Sequence, residues 1–175
     1  GYCHWASQAV RGQFGDSWYW NKPVLDKFAE VIWYSFALGL ASFILEIIIA
    51  IPAGIAAARR QYSALDYTIT VIALIGISLP SFFFATILKW VFSIKLGWVD
   101  LYGIVGRMHD QMSPIGQILD MAQHMILPTI TLSIVSIGSL MRYTRTNMLE
   151  VLNADFIRTA RAKGLSENRV INHHA

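Results

Sequence analysis

The sequence predicts an all-α integral membrane protein, a polytopic helical bundle with three spans. Of its 175 residues 55% are hydrophobic and 14% charged, with a mean hydropathy of +0.46. A soluble globular domain carries about 25% charged residues. The missing charge is concentrated in three long apolar stretches, each flanked by charged residues, a pattern that argues against buried helices of a soluble protein. Disorder is excluded because disordered chains are apolar-poor and charge-rich. Cys3 is the sole cysteine and has no disulfide partner in the chain. A net charge of +3 is too small to argue for nucleic acid.

Residues 1–30 read as an external segment of loop with short interfacial pieces. Residues 13–23 combine turn formers with Trp18, Tyr19 and Trp20, which suits either the membrane edge or packing against a neighbouring span. From Gly1 onward no initiating methionine, basic n-region or apolar h-region of a signal peptide is visible, and the sequence stops at Ala175 partway through a helix-like run, so an internal fragment is expected. The first span, residues 31–58, has Glu46 as its only charge and would measure roughly 42 Å as a helix, longer than a hydrocarbon core of about 30 Å. Trp33 and Tyr34 suit the headgroup level at its start, and Arg59 and Arg60 stop it. The second span, residues 67–88, has no charge but contains Pro80; kinks are expected there and at Pro52. The third span, residues 125–141, lies between His124 and Arg142, with Pro128 suited to its first turn. Residues 96–124 are then an external loop.

Orientation follows from the Lys/Arg distribution. Arg59, Arg60, Arg142, Arg145, Arg158, Arg161, Lys163 and Arg169 fall on one side. Arg11, Lys22, Lys27, Arg107, Lys89 and Lys95 fall on the other. Eight against six is a modest bias, consistent with three alternating crossings that leave residues 59–66 and 142–175 cytoplasmic.

Glu46 is open to two readings, because an intramembrane carboxylate usually faces the bundle interior or a cavity. It lines a translocation path or pairs with a neighbouring subunit, or it makes a structural hydrogen bond to one. Ser78 and Ser81 flank Pro80, and kinks in transporters mark gates as well as packing. These four residues are the candidate path residues. The histidines lack helical metal-ligand spacing, so no metal site is expected. No Ser/His/Asp or paired-carboxylate arrangement supports an intramembrane enzyme.

The cytoplasmic stretch 146–175 carries the most information. Asn153 suits an N-cap, and Asp155 puts negative charge in the first turn. A helix over 154–163 ends with Arg161 and Lys163, and Gly164 suits a left-handed turn before a second helix capped by Ser166. Phe156, Ile157 and Ala160 form one narrow apolar edge. Such a helix docks into a partner's groove or lies on lipid headgroups.

The run from Asp155 to Leu165, with Val170, Ile171, His174 and Ala175, resembles the EAA loop of binding-protein-dependent ABC importer permeases, in the dipeptide/oligopeptide/nickel class. Ala160 stands four residues before Gly164 as in that motif, while Arg158-Thr159 replaces its glutamate-alanine pair. Similar pieces extend upstream: Gly12 to Gly15, Ser17 with Pro23-Val24, Ile51 to Gly54, Ile77 to Phe83, Leu96 to Trp98, His124 to Pro128, Met141 to Arg145 and Met148 to Val151. By this resemblance the fold is a partial type I ABC importer transmembrane domain over 31–175, in the bacterial cytoplasmic (inner) membrane. It implies a transport subunit and no enzyme. Partners are a second permease subunit, two ATPase subunits, an external solute-binding protein and the lipid bilayer. The coupling loop is then Asp155, Phe156, Arg158, Thr159, Ala160, Arg161, Lys163 and Gly164. Arg158, Arg161 and Lys163 contact ATPase acids or simply satisfy the positive-inside rule. No GxxxxGK[ST] phosphate cradle occurs, so ATP is expected on the partner subunits and no cofactor on this chain. A gradient-driven secondary transporter or channel is the alternative; it calls for functional acids or an inverted repeat in the spans.

Overall fold

A computed structural model describes residues 1–173, whose regular secondary structure is helical apart from one minimal hairpin. The chain divides into two compact units, residues 1–40 and the remainder.

The first unit holds helix α1 (Tyr2–Val10), the antiparallel pair β1 (Asp16–Ser17) and β2 (Lys22–Pro23), and the start of helix α2 (Val24–Arg59). Gly15 at φ +74° and Asn21 at φ +51° supply the left-handed backbone the hairpin needs. Its tip carries the exposed rings of Trp18, Tyr19 and Trp20. Lys27 Nζ lies 4.2 Å from the Trp20 ring centroid, and Lys22 and Lys27 both donate to Glu30. The expected loop over residues 1–30 is therefore largely ordered secondary structure.

In the second unit the apolar stretches become helices with different limits. α2 begins seven residues before the expected first span and continues through Pro52 without a break. The second span does break: α3 (Ala64–Ser78) ends at Leu79-Pro80, and the arm that follows turns away by 101°. That arm is α4 (Ser81–Leu88) followed by a wider π-type coil over Lys89–Lys95. At 1.5 Å per residue α3 alone is roughly 22 Å long, shorter than a hydrocarbon core of about 30 Å. Among the described residues two helices are thus long and apolar enough to cross a membrane, and the bent pair is a third only if taken as one span.

The third span is the largest revision. Helix α5 (Pro114–Leu152) starts eleven residues before the expected boundary, because Ser113 caps it and Pro114 occupies its first position. Pro128 therefore lies inside the helix, not in its first turn, and residues 114–124 are helix rather than loop. Short helices α6 (Asp155–Ala162) and α7 (Glu167–His173) complete the chain.

Glycines set the packing. A Cβ on Gly54 would lie 2.7 Å from Thr144 Cβ and 2.8 Å from the Met141 carbonyl oxygen. One on Gly138 would lie 2.6 Å from the Ala73 carbonyl oxygen. Small residues at such crossings let backbones approach closely, which is how helices associate without a hydrophobic driving force. Ser42 Oγ donates to the Thr129 carbonyl at 3.5 Å while Gly54 meets Met141, so α2 and α5 run parallel. Ala73 meets Gly138 and Asp66 meets Arg145, so α3 runs antiparallel to α5. Ala50, Ala73 and Met141 form the core where the three meet. The directions agree with the alternation read from the charges.

Candidate functional site

The segment expected from the sequence to be a coupling loop is a short hairpin of helices that follows the end of α5. Asn153 does not cap α6 as expected. It terminates α5, its Nδ2 donating back to the Leu149 carbonyl at 2.9 Å, and Ala154 precedes α6 without a side-chain cap. α6 accordingly spans eight residues, not ten. Gly164 has φ +79°, the left-handed turn expected of it.

The apolar edge divides. Ile157 is fully buried, and with Ala160 it packs against Val170, Val151 and Leu165. These two side chains hold the α6–α7 hairpin together and are not free to meet a partner. Phe156, 57% exposed, is the apolar residue of that edge that points outward, beside exposed Asp155, Arg158, Thr159 and Lys163. The basic cluster divides too. Arg161 makes a paired contact with Glu167, Nη2 to Oε1 at 2.7 Å and Nε to Oε2 at 3.1 Å, clasping α6 to α7. Arg158 stays exposed near Asp155 at 3.6 Å. His174 and Ala175, part of the sequence resemblance, lie outside the described residues.

Arg161 holds the Glu167 carboxyl below its usual range, its donated hydrogen bonds outweighing partial desolvation. A depressed carboxylate stabilises the fold above its unfolded value of about 4.3 and loses that contribution as pH falls through the folded value. The protection of α7 amides, referred to the intrinsic exchange rate at each pH, should therefore fall below about pH 4, and Glu167→Gln should remove that acid dependence. An α7 equally protected at acid pH would show that the clasp is idle.

A second ionic contact, which the sequence reading did not anticipate, joins α3 to α5. Arg145 Nε donates to Asp66 Oδ1 at 2.6 Å and Nη2 to Oδ2 at 2.8 Å, with Asp66 only 2% exposed. The Tyr62 N–H donates to the same carboxylate at 3.0 Å, and the Ser63 Oγ accepts from the Asp66 N–H at 3.3 Å. Ser63 and Asp66 are thus an N-terminal capping arrangement. The Ser-x-x-Asp spacing was the visible signal; its partner 79 residues away was not.

At the opposite end of α5, Asp120 anchors the preceding loop. It accepts from the Gly106 N–H at 2.9 Å and faces His109 Nδ1 at 2.7 Å, while Gln123 Nε2 donates to the Trp98 carbonyl at 3.0 Å. His124 Nε2 is buried 3.3 Å from Asp100 Oδ2 without a well-aligned hydrogen bond. Asp120→Asn should free residues 98–109, read as at least tenfold faster amide exchange there. Unchanged exchange would show that the loop is held by packing alone.

The path candidates are not brought together. Glu46 is half-buried on α2, four residues from buried Ser42 and from buried Ala50, with no hydrogen bond or ion pair among the described residues. Ser78 ends α3, Pro80 occupies the break and Ser81 starts α4, all three exposed. No group of three or more His, Cys, Asp or Glu residues suited to a metal occurs among the described residues.

Residues 50–175 match the family described as the binding-protein-dependent transport system inner membrane component. The chain is 41% identical over 174 residues to the oligopeptide transport system permease protein AppB of Bacillus subtilis, covering 99% of this chain and 54% of that protein. It is 39% identical over 175 residues to the oligopeptide transport system permease protein OppB of Salmonella typhimurium, covering 99% and 53%. For OppB of Escherichia coli K12 the figure is 38%, with the same coverage. The chain spans about half the length of the curated relatives it matches.

Proposed function

The chain belongs to the binding-protein-dependent transport system inner membrane components, and on that premise we propose that it forms part of the translocation path of an ATP-driven importer of oligopeptides. It acts beside a second permease subunit, receives substrate from an external solute-binding protein and is driven by two separate ATPase subunits. Residues 59–66 and 142–175 lie on the cytoplasmic side, and residues 1–30 and the loop before α5 lie outside. Glu46, Ser78, Pro80 and Ser81 border the path.

The observation that carries this reading is the α6–α7 hairpin. It is internally braced by Ile157, Ala160, Val170 and the Arg161–Glu167 contact, yet presents Phe156, Arg158 and Lys163 outward. A braced element transmits displacement; a limp one absorbs it. Its outward face offers one aromatic anchor and two cations to an ATPase cleft. Peptide cargo is supported by the names of the permeases it is similar to.

The test uses the full-length permease assembled with its ATPases and binding protein. Gly164→Pro cannot reach φ +79°, because proline is fixed near −65°, and should abolish ATP-dependent peptide uptake. Phe156→Ala leaves the hairpin core untouched and should reduce uptake at least tenfold, with the ATPase subunits less firmly retained. Uptake persisting without any ATPase would favour a gradient-driven carrier instead.

A further inference from the structure

A cavity of about 510 Å³ opens where the Arg59 end of α2, the start of α3, the last turn of α5 and the α6–α7 hairpin converge. Its lining is mixed: Arg59, Arg60, Arg161 and Glu167 are ionic, and Ala56, Leu65, Leu152 and Ile171 are apolar. Glu167 is committed to Arg161, and Arg59 Nη2 donates only to a neutral acceptor, Asn168 Oδ1 at 3.0 Å. Arg60 makes no ion pair among the described residues. Glu167 also feels the charge of Arg59, so three guanidinium groups share one carboxylate and the lining keeps a net charge of +2 beside apolar side chains.

We infer that this cavity binds one anionic phospholipid, its phosphate on Arg59 and Arg60 and the start of an acyl chain along Leu65, Leu152 and Ile171. Three features favour that ligand chemistry. Arg59 is the last residue of a helix long and apolar enough to cross a membrane, and the uncharged run before it ends at Arg59 and Arg60, where the apolar environment gives way to a polar one. Basic pockets between spanning helices recognise acidic headgroups, each Lys/Arg contributing about 1 kcal/mol. A free phosphate would satisfy the arginines but leave the apolar side chains in water. The volume lies within the range of small-ligand sites. The site also touches both α2 and the coupling hairpin, so an occupying lipid would brace α6–α7 against the membrane body. The inference rests on the membrane placement proposed above but not on ATP coupling or peptide cargo, and the experiment reads lipid directly.

The full-length permease complex, stripped of lipid and exposed to vesicles of phosphatidylcholine with or without phosphatidylglycerol, is weighed by native mass spectrometry for retained lipid. Phosphatidylglycerol should be retained over phosphatidylcholine. Arg60→Gln, which breaks no bond seen in the fold, should lower that preference about fivefold, and Arg59→Gln/Arg60→Gln about 25-fold. Millimolar inorganic phosphate should not displace the lipid. Equal retention by the arginine variants overturns the inference. Displacement by inorganic phosphate also overturns it and assigns the site to a free anion. Loss of ATPase subunits from Arg60→Gln with lipid retention unchanged overturns it in favour of a protein contact.

Discussion

Asp66→Ala should destabilise the membrane domain by about 3 kcal/mol, the low end of the range for removing one partner of a buried ion pair. Asp66 is 2% exposed and accepts both donors of the Arg145 fork, so its loss strands a guanidinium against α3. The Arg145 side chain keeps some solvent contact, which is why the larger values in that range are not expected. The Tyr62 N–H loses its acceptor in the same step, so the turn between α2 and α3, with Tyr62 held at φ +62°, should loosen as well. Thermal unfolding of the detergent-solubilised full-length permease gives the magnitude. The paired change Asp66→Leu/Arg145→Met should recover most of the stability, because apolar replacement of both partners is often neutral. A single-variant loss below about 1 kcal/mol, the level of an exposed pair, would show that α3 and α5 are held by packing alone. Uptake should fall with the single variant, since Arg145 lies on the helix that carries α6.

Gly138→Ala and Gly54→Ala should each cost about 3 kcal/mol, the upper part of the usual range for overpacking. The atoms a new methyl would strike include backbone carbonyl oxygens, at 2.6 Å for Ala73 and 2.8 Å for Met141, and backbone cannot rotate aside as a side chain can. The helices must separate, opening the cluster of Ala50, Ala73 and Met141. Gly39→Ala is the internal control: nothing lies within 4 Å of its Cβ position, and replacing glycine in a helix should gain up to about 1 kcal/mol. Gly54 and Gly138 variants as stable as that control would mean that the close crossings are not formed in the membrane.

The sequence carried the helical membrane class, the break at Pro80 and the turn at Gly164, because each rests on a local property: hydropathy, a missing N–H, a tolerated φ. Helix limits were less legible. Hydropathy reports where a bilayer can cover a helix, not where the helix ends, so residues 114–124, with Gln117, Asp120, Gln123 and His124 among their apolar residues, looked like loop although Ser113-Pro114 is a strong helix start. The same error moved Asn153 from the end of α5 to the start of α6. In the 155–173 segment the apolar edge of Phe156, Ile157 and Ala160 was legible, but Ile157 and Ala160 are covered by the chain's own Val170. Periodicity identifies an apolar edge and is silent about what covers it. The Asp66–Arg145 contact spans 79 positions, and nothing near either residue announces the other.

α5 runs 39 residues without interruption, roughly 58 Å of continuous helix. Its first turns hold the loop moored at Asp120, and its last turn delivers the chain to Phe156. In the proposed importer a rod of that length would relay motion from one compartment to the other without a joint, save at Pro128, the position inside it that lacks a backbone donor. Under that proposal, cargo arriving at the moored loop and fuel spent at the far tip would be read by the same rigid body.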